Sequence, residues 1–198
     1  MIFHDITRDI CTTEPYGDDP QTAIAKISSI ANGDAYDLSH MTCCLHTGTH
    51  IDAPSHYLLN KPNVNDIDIS VFYGECTVVA VKGILTGEHM DRLLPYCKKR
   101  ILFHGDGETF LSSSAAQVLA DNGVLLVGTD APSIGADYED DRVHTTLLRN
   151  NIAILENVDL EGIKDGVYVL SAFPMKINEA EAAPCRAVLI EGEKMFWF

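Results

Sequence analysis

The chain has 198 residues, a hydrophobic content of 46% and a formal net charge of −15. This length and hydrophobic content suffice for one packed core, so we expect a single domain spanning residues 1–198. The acidic charge disfavours nucleic acid and anionic membrane surfaces as partners, because both repel such a protein. No apolar run in the sequence is long enough to cross a bilayer.

The cysteine pattern gives an indication of the compartment in which the protein resides. Six cysteines occur without the spacing of a CxxC motif, and acidic residues stand near the start of the chain, where a secretory signal would be apolar. These features favour a reducing, cytoplasmic location. Cys43 and Cys44 precede a histidine-rich segment, but cysteines are more often buried and inert, so we assign them no role.

Short runs rich in β-branched and aromatic residues predict eight strands. They lie near residues 2–6, 37–45, 76–81, 100–105, 124–128, 152–157, 167–173 and 186–192. The clearest helix covers residues 112–123, with Ser112 or Ser113 as the N-cap and Gly123 as the stop. Shorter helical patterns cover residues 87–97 and 143–151. Segments 15–20 and 129–142 predict loops.

The order of these elements predicts the fold class. The first 80 residues contain no good helical pattern, whereas strand, helix and strand follow one another between residues 100 and 128. The latter succession is typical of a βαβ crossover between parallel strands. We therefore expect a mixed α/β fold with a β-rich, barrel-like layer, a few outer helices and a largely parallel second half.

The most informative segment is HTGTHIDAPSH, residues 46–56. Its polar residues fall at even offsets, which in an extended chain point to the same face. These residues are His46, His50, Asp52 and His56. Gly48 would leave that face open, while Ile51 would pack on the opposite side and Pro54 would end the strand. The pattern predicts a metal site formed largely by one strand.

A helical metal motif is the first alternative, but Gly48 and Pro54 disfavour a helix here. The second alternative is that these histidines bind no ligand. Three histidines that share one face with an aspartate make this explanation weaker. Imidazole and carboxylate ligands suit zinc, manganese or iron(II). Two later residues, His144 and Glu156, could complete the shell, although, taken alone, each is better explained as a polar helix start or a solvated strand end.

Three segments together resemble a known family. HTGTHIDAPSH, TDAPSIG at 129–135 and HTTLLRNNIAILENVDL at 144–160 are similar to the bacterial kynurenine formamidase and cyclase family of metal-dependent hydrolases, which includes isatin hydrolase. HDIT at 4–7 and GDDP at 17–20 resemble the family's opening strand and loop. The resemblance implies a swivelling β/β/α fold, a homodimer or homotetramer, and one or two divalent ions per subunit, zinc being favoured and manganese the alternative.

The resemblance also implies a set of metal ligands: His46, His50, Asp52, His144 and Glu156. Asp52 would be shared between two ions, and Glu156 would belong to the second. His56 matches the family's proton-transfer residue, and a further metal ligand is the alternative role for it. The implied reaction is acyl transfer to water, in which His56 passes a proton to the leaving nitrogen of an amide.

The substrate is less well defined than the reaction. N-formylkynurenine, the substrate of an arylformamidase, is the first expectation, and a cyclic amide or an ester is the alternative. Family formamidases carry a tryptophan before the Pro-Gly-Asp loop, but here Pro15 takes that place and the only tryptophan is Trp197. Tyr16 is the candidate for an alternative stacking face.

Two other classes of protein fit part of the pattern. His50, Asp52 and His144 spell the facial triad of non-haem iron(II) oxygenases, but this hypothesis leaves the other histidines unexplained and needs a basic residue better placed than Arg149. A non-catalytic metal-binding module would hold its ion in a closed shell. Closed structural zinc sites are usually rich in cysteine, unlike this cluster.

Overall fold

The computed structural model describes residues 1–192 of the chain. Within them the strands are β1 (Ile2–Asp5), β2 (Ala23–Ser28), β3 (Leu38–Thr42), β4 (His50–Asp52), β5 (Tyr73–Ala80), β6 (Gly83–Leu85), β7 (Arg100–His104), β8 (Thr109–Leu111), β9 (Leu126–Thr129), β10 (Ala153–Glu156), β11 (Gly166–Ser171), β12 (Ala182–Pro184) and β13 (Val188–Glu191). The α-helices are α1 (Gly87–Leu93), α2 (Ser113–Asp121) and α3 (Asp140–Arg149).

A mixed nine-stranded sheet forms most of the structure, in the order β1-β13-β11-β5-β7-β9-β10-β4-β12. Strands β5, β7, β9 and β10 run parallel to their neighbours in this group, and the outer pairings are antiparallel. The sheet curls into a half-barrel with three helices. Strands β2 and β3 form a separate antiparallel pair, and β6 and β8 a small parallel pair.

Both faces of the central strands are buried, as is usual for parallel strands with covered faces. In β10, Ile154 packs on the side of the helices while Leu155 packs into the core on the opposite side. Strand β7 shows the same alternation, with Phe103 towards the helices and Leu102 away from them. The sheet therefore separates two apolar clusters, and the helices cover only one of its faces.

The predicted fold class is confirmed: a barrel-like β-layer carries a few outer helices, and its second half is largely parallel. Each of the eight predicted strands corresponds to an observed one. The predicted crossover is also present, because β7 and β9 are parallel and α2 lies between them. Ser112 caps α2 by accepting a hydrogen bond from the backbone N–H of Ala115, and Gly123 follows the helix with a φ of 62°.

The histidine segment departs from the predicted single strand. Only His50–Asp52 is a strand; residues 45–49 form turns and bends, and Pro54–His56 is a 3-10 helix. Gly48 adopts a φ of 69°, and a Cβ there would lie 3.1 Å from the Cα of Ile10. Glycine is required because the backbone turns there against the N-terminal segment.

Helix α3 begins earlier than predicted. His144 was expected to open this helix, but the helix starts at Asp140, so the end of the predicted loop 129–142 is helical. Acidic residues in a first turn interact favourably with the positive end of the helix dipole. As a result His144 lies one turn inside α3. Within residues 1–192, no helix combines the length and apolar character needed to cross a membrane, and Trp197 lies outside the described residues.

Candidate metal centre

Two neighbouring antiparallel strands supply three central residues of the site. His50 and Asp52 lie on β4, and Glu156 ends β10 directly opposite His50 in the ladder. Strand β4 is paired on its other side with β12. Because residues two apart on a strand share a face, all three side chains point to the helix-covered side, where they are buried.

Two further histidines reach this cluster from outside the sheet. His46 lies in the turn before β4, and its Nδ1 is 3.0 Å from Oδ1 of Asp52. His144, on α3, places its Nε2 3.2 Å from Oε1 of Glu156 and 3.7 Å from Oδ2 of Asp52. The Nε2 of His50 lies 3.4 Å from both Asp52 and Glu156. All five residues predicted as ligands are therefore brought together.

The cluster divides into two groups that share Asp52. One group is His46, His50 and Asp52, and the other is Asp52, His144 and Glu156. In each group, one ligand atom per residue lies within 4.8 Å of the others, which is compact enough for them to surround a single ion. Three buried atoms of the cluster, Nε2 of His50 and both carboxylate oxygens of Asp52, have no hydrogen-bond partner. Since buried polar atoms are normally satisfied, these residues fit a divalent metal.

Backbone carbonyls fix which ring nitrogen of each histidine points into the cluster. The Nδ1 of His50 lies 2.9 Å from the carbonyl oxygen of Gly48, and the Nδ1 of His144 lies 3.0 Å from that of Asp140. A carbonyl can only accept a hydrogen bond, so Nδ1 carries the proton in both rings. In the neutral form of each ring, Nε2 is then the unprotonated nitrogen and faces the carboxylates, and this is the form that binds a metal ion.

The buried carboxylates dominate the electrostatics of the site. Burial lowers the pKa of His50, but the carboxylates of Asp52 and Glu156 outweigh it and raise this pKa to about 10. Burial raises the pKa of Asp52, but His50 and His46 bring it well below its ordinary value. The site thus strongly attracts positive charge.

His56 lies beside the two groups without belonging to either. Its ring centroid is 4.2 Å from that of His46 and 6.1 Å from that of His144. Burial lowers its pKa; Asp52 opposes this change, and His46 and His144 add to it. His56 is only half-buried, so part of its ring is accessible to solvent.

The predicted substrate residue, Tyr16, and the cysteines that precede the motif lie outside both ligand groups. Tyr16 is 47% exposed, and burial together with the charges of Asp140, Asp137 and Glu156 raises its pKa. The thiol of Cys44 donates a weak hydrogen bond to Asp19.

Sequence reasoning missed several residues that hold the ligands in place. The backbone N–H of Ile134 donates to Oε1 of Glu156 at 2.8 Å. The Tyr57 ring stacks on that of His144 with centroids 4.8 Å apart, and Oδ1 of Asp140 is 3.3 Å from Nδ1 of His144. For Asp140 a signal exists: it lies four residues before His144, the spacing at which helical side chains meet.

Comparison with known proteins shows the family of the chain. The model of the cyclase family matches residues 4–136, more than half of the chain. The chain belongs to the cyclase family. A kynurenine formamidase of Bacillus thuringiensis subsp. konkukian is 32% identical over 203 aligned positions, covering 95% of this chain and 95% of that protein. The resemblance seen in the sequence is thereby confirmed.

Solved structures of other proteins share the fold. A protein described as a "potential metal-dependent hydrolase with cyclase activity" superposes with a TM-score of 0.84 at 26% identity, covering 98% of this chain and 99% of its own. Isatin hydrolase A from Labrenzia aggregata superposes with a TM-score of 0.81 at 19% identity, over 95% and 93% of the two chains. The second likeness concerns the fold alone.

The shared position of Asp52 leads to a prediction about metal binding. A ligand that binds only the folded state at about 100 times its dissociation constant stabilises a protein by about 2.7 kcal/mol. We expect zinc to stabilise the wild-type chain in this way and Asp52→Asn to lose the gain, because Asp52 belongs to both groups. Urea unfolding with and without zinc measures the effect. The matched control is Asp91→Asn, an exposed carboxylate; an Asp52→Asn protein that kept the full zinc-dependent gain would contradict the assignment.

Proposed function

We propose that this protein is a metal-dependent hydrolase that cleaves the C–N bond of a small amide. N-formylkynurenine or a related arylformamide is the first substrate, and a cyclic amide or an ester is the alternative. The observation that carries the proposal is the pair of ligand groups sharing Asp52, with half-buried His56 beside them. The similarity to kynurenine formamidases over most of the chain supports the same conclusion.

The ligand set supports one or two ions per chain. His46, His50 and Asp52 would hold one ion, and Asp52 with His144 and Glu156 would hold the other. Imidazole and carboxylate ligands favour zinc, with manganese as the alternative. When bound, a divalent cation supplies a Lewis acid for a carbonyl oxygen and lowers the pKa of water towards about 7.

The chain itself supplies the proton transfer. Amide hydrolysis needs a group that accepts a proton released from water and a group that protonates the leaving nitrogen as the C–N bond breaks. An imidazole nitrogen of His56 performs both steps in turn, since histidine gains and loses a proton near neutrality. The ring of His46, tilted by 35° from that of His56, and the edge-on ring of Tyr57 hold the His56 ring in place.

The substrate would enter past the loop that carries Tyr16. The exposed phenol ring offers a flat apolar face to an aromatic substrate in place of the tryptophan of family formamidases. We therefore favour an arylformamide over an aliphatic amide as the substrate.

The proposed reaction is tested by following release of formate from N-formylkynurenine by the zinc-loaded or manganese-loaded protein. We expect turnover well above that of the same protein treated with a chelator. A parallel screen of cyclic amides and esters separates the alternatives. Activity on one of these alone would replace the substrate and keep the reaction class, whereas no metal-dependent hydrolysis of any of them would contradict the proposal.

The role of His56 yields a separate prediction. General acid–base catalysis contributes about 100-fold to 10,000-fold to a rate, so we expect His56→Ala to lower kcat by at least about 100-fold. Bound metal, measured by elemental analysis, should stay at the wild-type level because His56 belongs to neither ligand group. Large loss of metal would instead make His56 a ligand. His89→Ala, at an exposed histidine of α1, is the matched control.

We also propose that the chain forms a homodimer or homotetramer, and that it resides in the cytoplasm. Within the described residues its six cysteines are free thiols, which supports a reducing compartment. The β2–β3 region exposes six large apolar side chains, more than scattered surface residues would explain. They are Ile24, Ile27, Ile30, Tyr36, Leu38 and Met41.

Light scattering tests the assembly. The ion pair between Lys26 and Asp37, 3.1 Å apart, keeps the β2–β3 region near neutrality despite the acidic chain, so two copies can meet there. We expect the wild-type protein to have two or four times the mass of one chain. The double variant Ile24→Lys, Ile27→Lys should have a smaller mass, because its charges disfavour the contact. Leu59→Lys, at another exposed apolar residue, is the control. A monomeric wild type would refute the assembly, and an unchanged double variant would refute this surface.

A further inference from the structure

Asp140 occupies the end of the His144 ring that faces away from the metal-ligand cluster. Its Oδ1 lies 3.3 Å from Nδ1 of His144, while Nε2 of the same ring points at Glu156 and Asp52. The backbone carbonyl of Asp140 also accepts from Nδ1, at 3.0 Å. One residue thus provides two acceptors for the proton that sets the tautomer of His144.

The carboxylate of Asp140 is itself held on several sides. The hydroxyl of Ser133 donates to Oδ1 at 2.7 Å, and the hydroxyl of Tyr57 donates to Oδ2 at 3.4 Å. Gly135 leaves room for it, since a Cβ there would lie 2.7 Å from the Cα of Asp140. Asp140 is therefore fixed by its surroundings and is not a freely moving surface carboxylate.

The residues that hold Asp140, or their neighbours in the chain, also hold the His144 ring or Glu156. The Tyr57 ring, whose hydroxyl contacts Asp140, stacks on the imidazole of His144 at an interplanar angle of 18°. Ile134, next to Ser133 in the chain, donates its backbone N–H to Glu156. The loop between β9 and α3 thus orients both His144 and Glu156, the two members of the second ligand group that lie outside β4.

We propose that Asp140 is a positioning residue that holds the His144 ring with Nε2 directed into the second ligand group and thereby strengthens metal binding there. The inference rests on the proposed function, because it requires His144 to be a metal ligand. Carboxylate partners of metal-bound histidines fix the ring and its tautomer and increase the basicity of the ligand. Asp140 acts through His144 and does not contact the ion.

The test compares Asp140→Asn with Asp141→Asn, which removes the same charge from the next, exposed residue of α3. Loss of such a partner typically weakens metal binding by about 10-fold to 100-fold. We expect about tenfold for Asp140→Asn, at the lower end, because the backbone carbonyl remains as an acceptor. Zinc dissociation constants are measured by chelator competition, and circular dichroism confirms the fold of each variant.

Cobalt(II) loading adds a readout that a general loss of stability would not move. We expect the visible absorption bands of cobalt to shift in Asp140→Asn, because the ligand field of His144 changes, and to stay the same in Asp141→Asn. If Asp140→Asn does not fold, Ser133→Ala replaces it, since that variant keeps the carboxylate but removes the hydroxyl that orients it; we expect weaker zinc binding there too.

Three results would overturn the inference. Wild-type zinc affinity and cobalt bands in Asp140→Asn, or in Ser133→Ala where it stands in, would show that the contact does not position His144. Equal weakening in Asp140→Asn and Asp141→Asn would show an effect of overall charge. A wild-type protein that binds neither zinc nor cobalt would overturn the proposed function as well, which distinguishes that failure from the first two.

Discussion

Two buried carboxylates on adjacent strands are the constraint on which the site depends. Asp52 and Glu156 lie on β4 and β10, next to one another in the sheet, and both are almost inaccessible to water. Burying charge costs several kcal/mol per ion unless opposite charge or hydrogen bonds compensate it. The imidazoles around them provide part of the compensation, and a divalent cation would complete it. Two like charges buried side by side would destabilise the fold if they had only a structural role.

The sheet is what makes this arrangement rigid. Strand β4 has only three residues, but it is paired on both sides, with β10 and with β12. Glu156 stands at the carboxyl end of a parallel strand, the edge at which open α/β sheets usually bind ligands. The loop that follows β9 reaches over this edge and donates a backbone N–H to Glu156. Strands therefore fix the carboxylates, while the more variable connections supply the groups around them.

The sequence predicted the strongly patterned parts of the molecule and missed those fixed by distant contacts. Long strands with apolar runs and the capped helix α2 follow from local chemistry. Strands β6, β8 and β12 have three residues each, too few for a visible alternation, and they exist because a partner strand is present. The residues that the motif predicts as ligands do lie together, yet His46 reaches Asp52 from a turn and not from the predicted strand. The start of α3 at Asp140 lay in a predicted loop, which concealed the contact of Asp140 with His144.

The proposed reaction depends on buried residues, whereas the proposed choice of substrate depends on an exposed one. The ligand groups are mostly buried and depend on strand register, so we expect a change in any of them to disturb the packing as well as metal binding. Tyr16 lies on an exposed loop, and its replacement would leave β4 and β10 intact. The two ligand groups can therefore stay the same while the proposed substrate residue differs. We therefore expect the departure from the family at Pro15 and Tyr16 to bear on which amide is bound more than on the hydrolytic chemistry. An identity of 32% to a kynurenine formamidase is thus stronger support for the reaction than for the substrate.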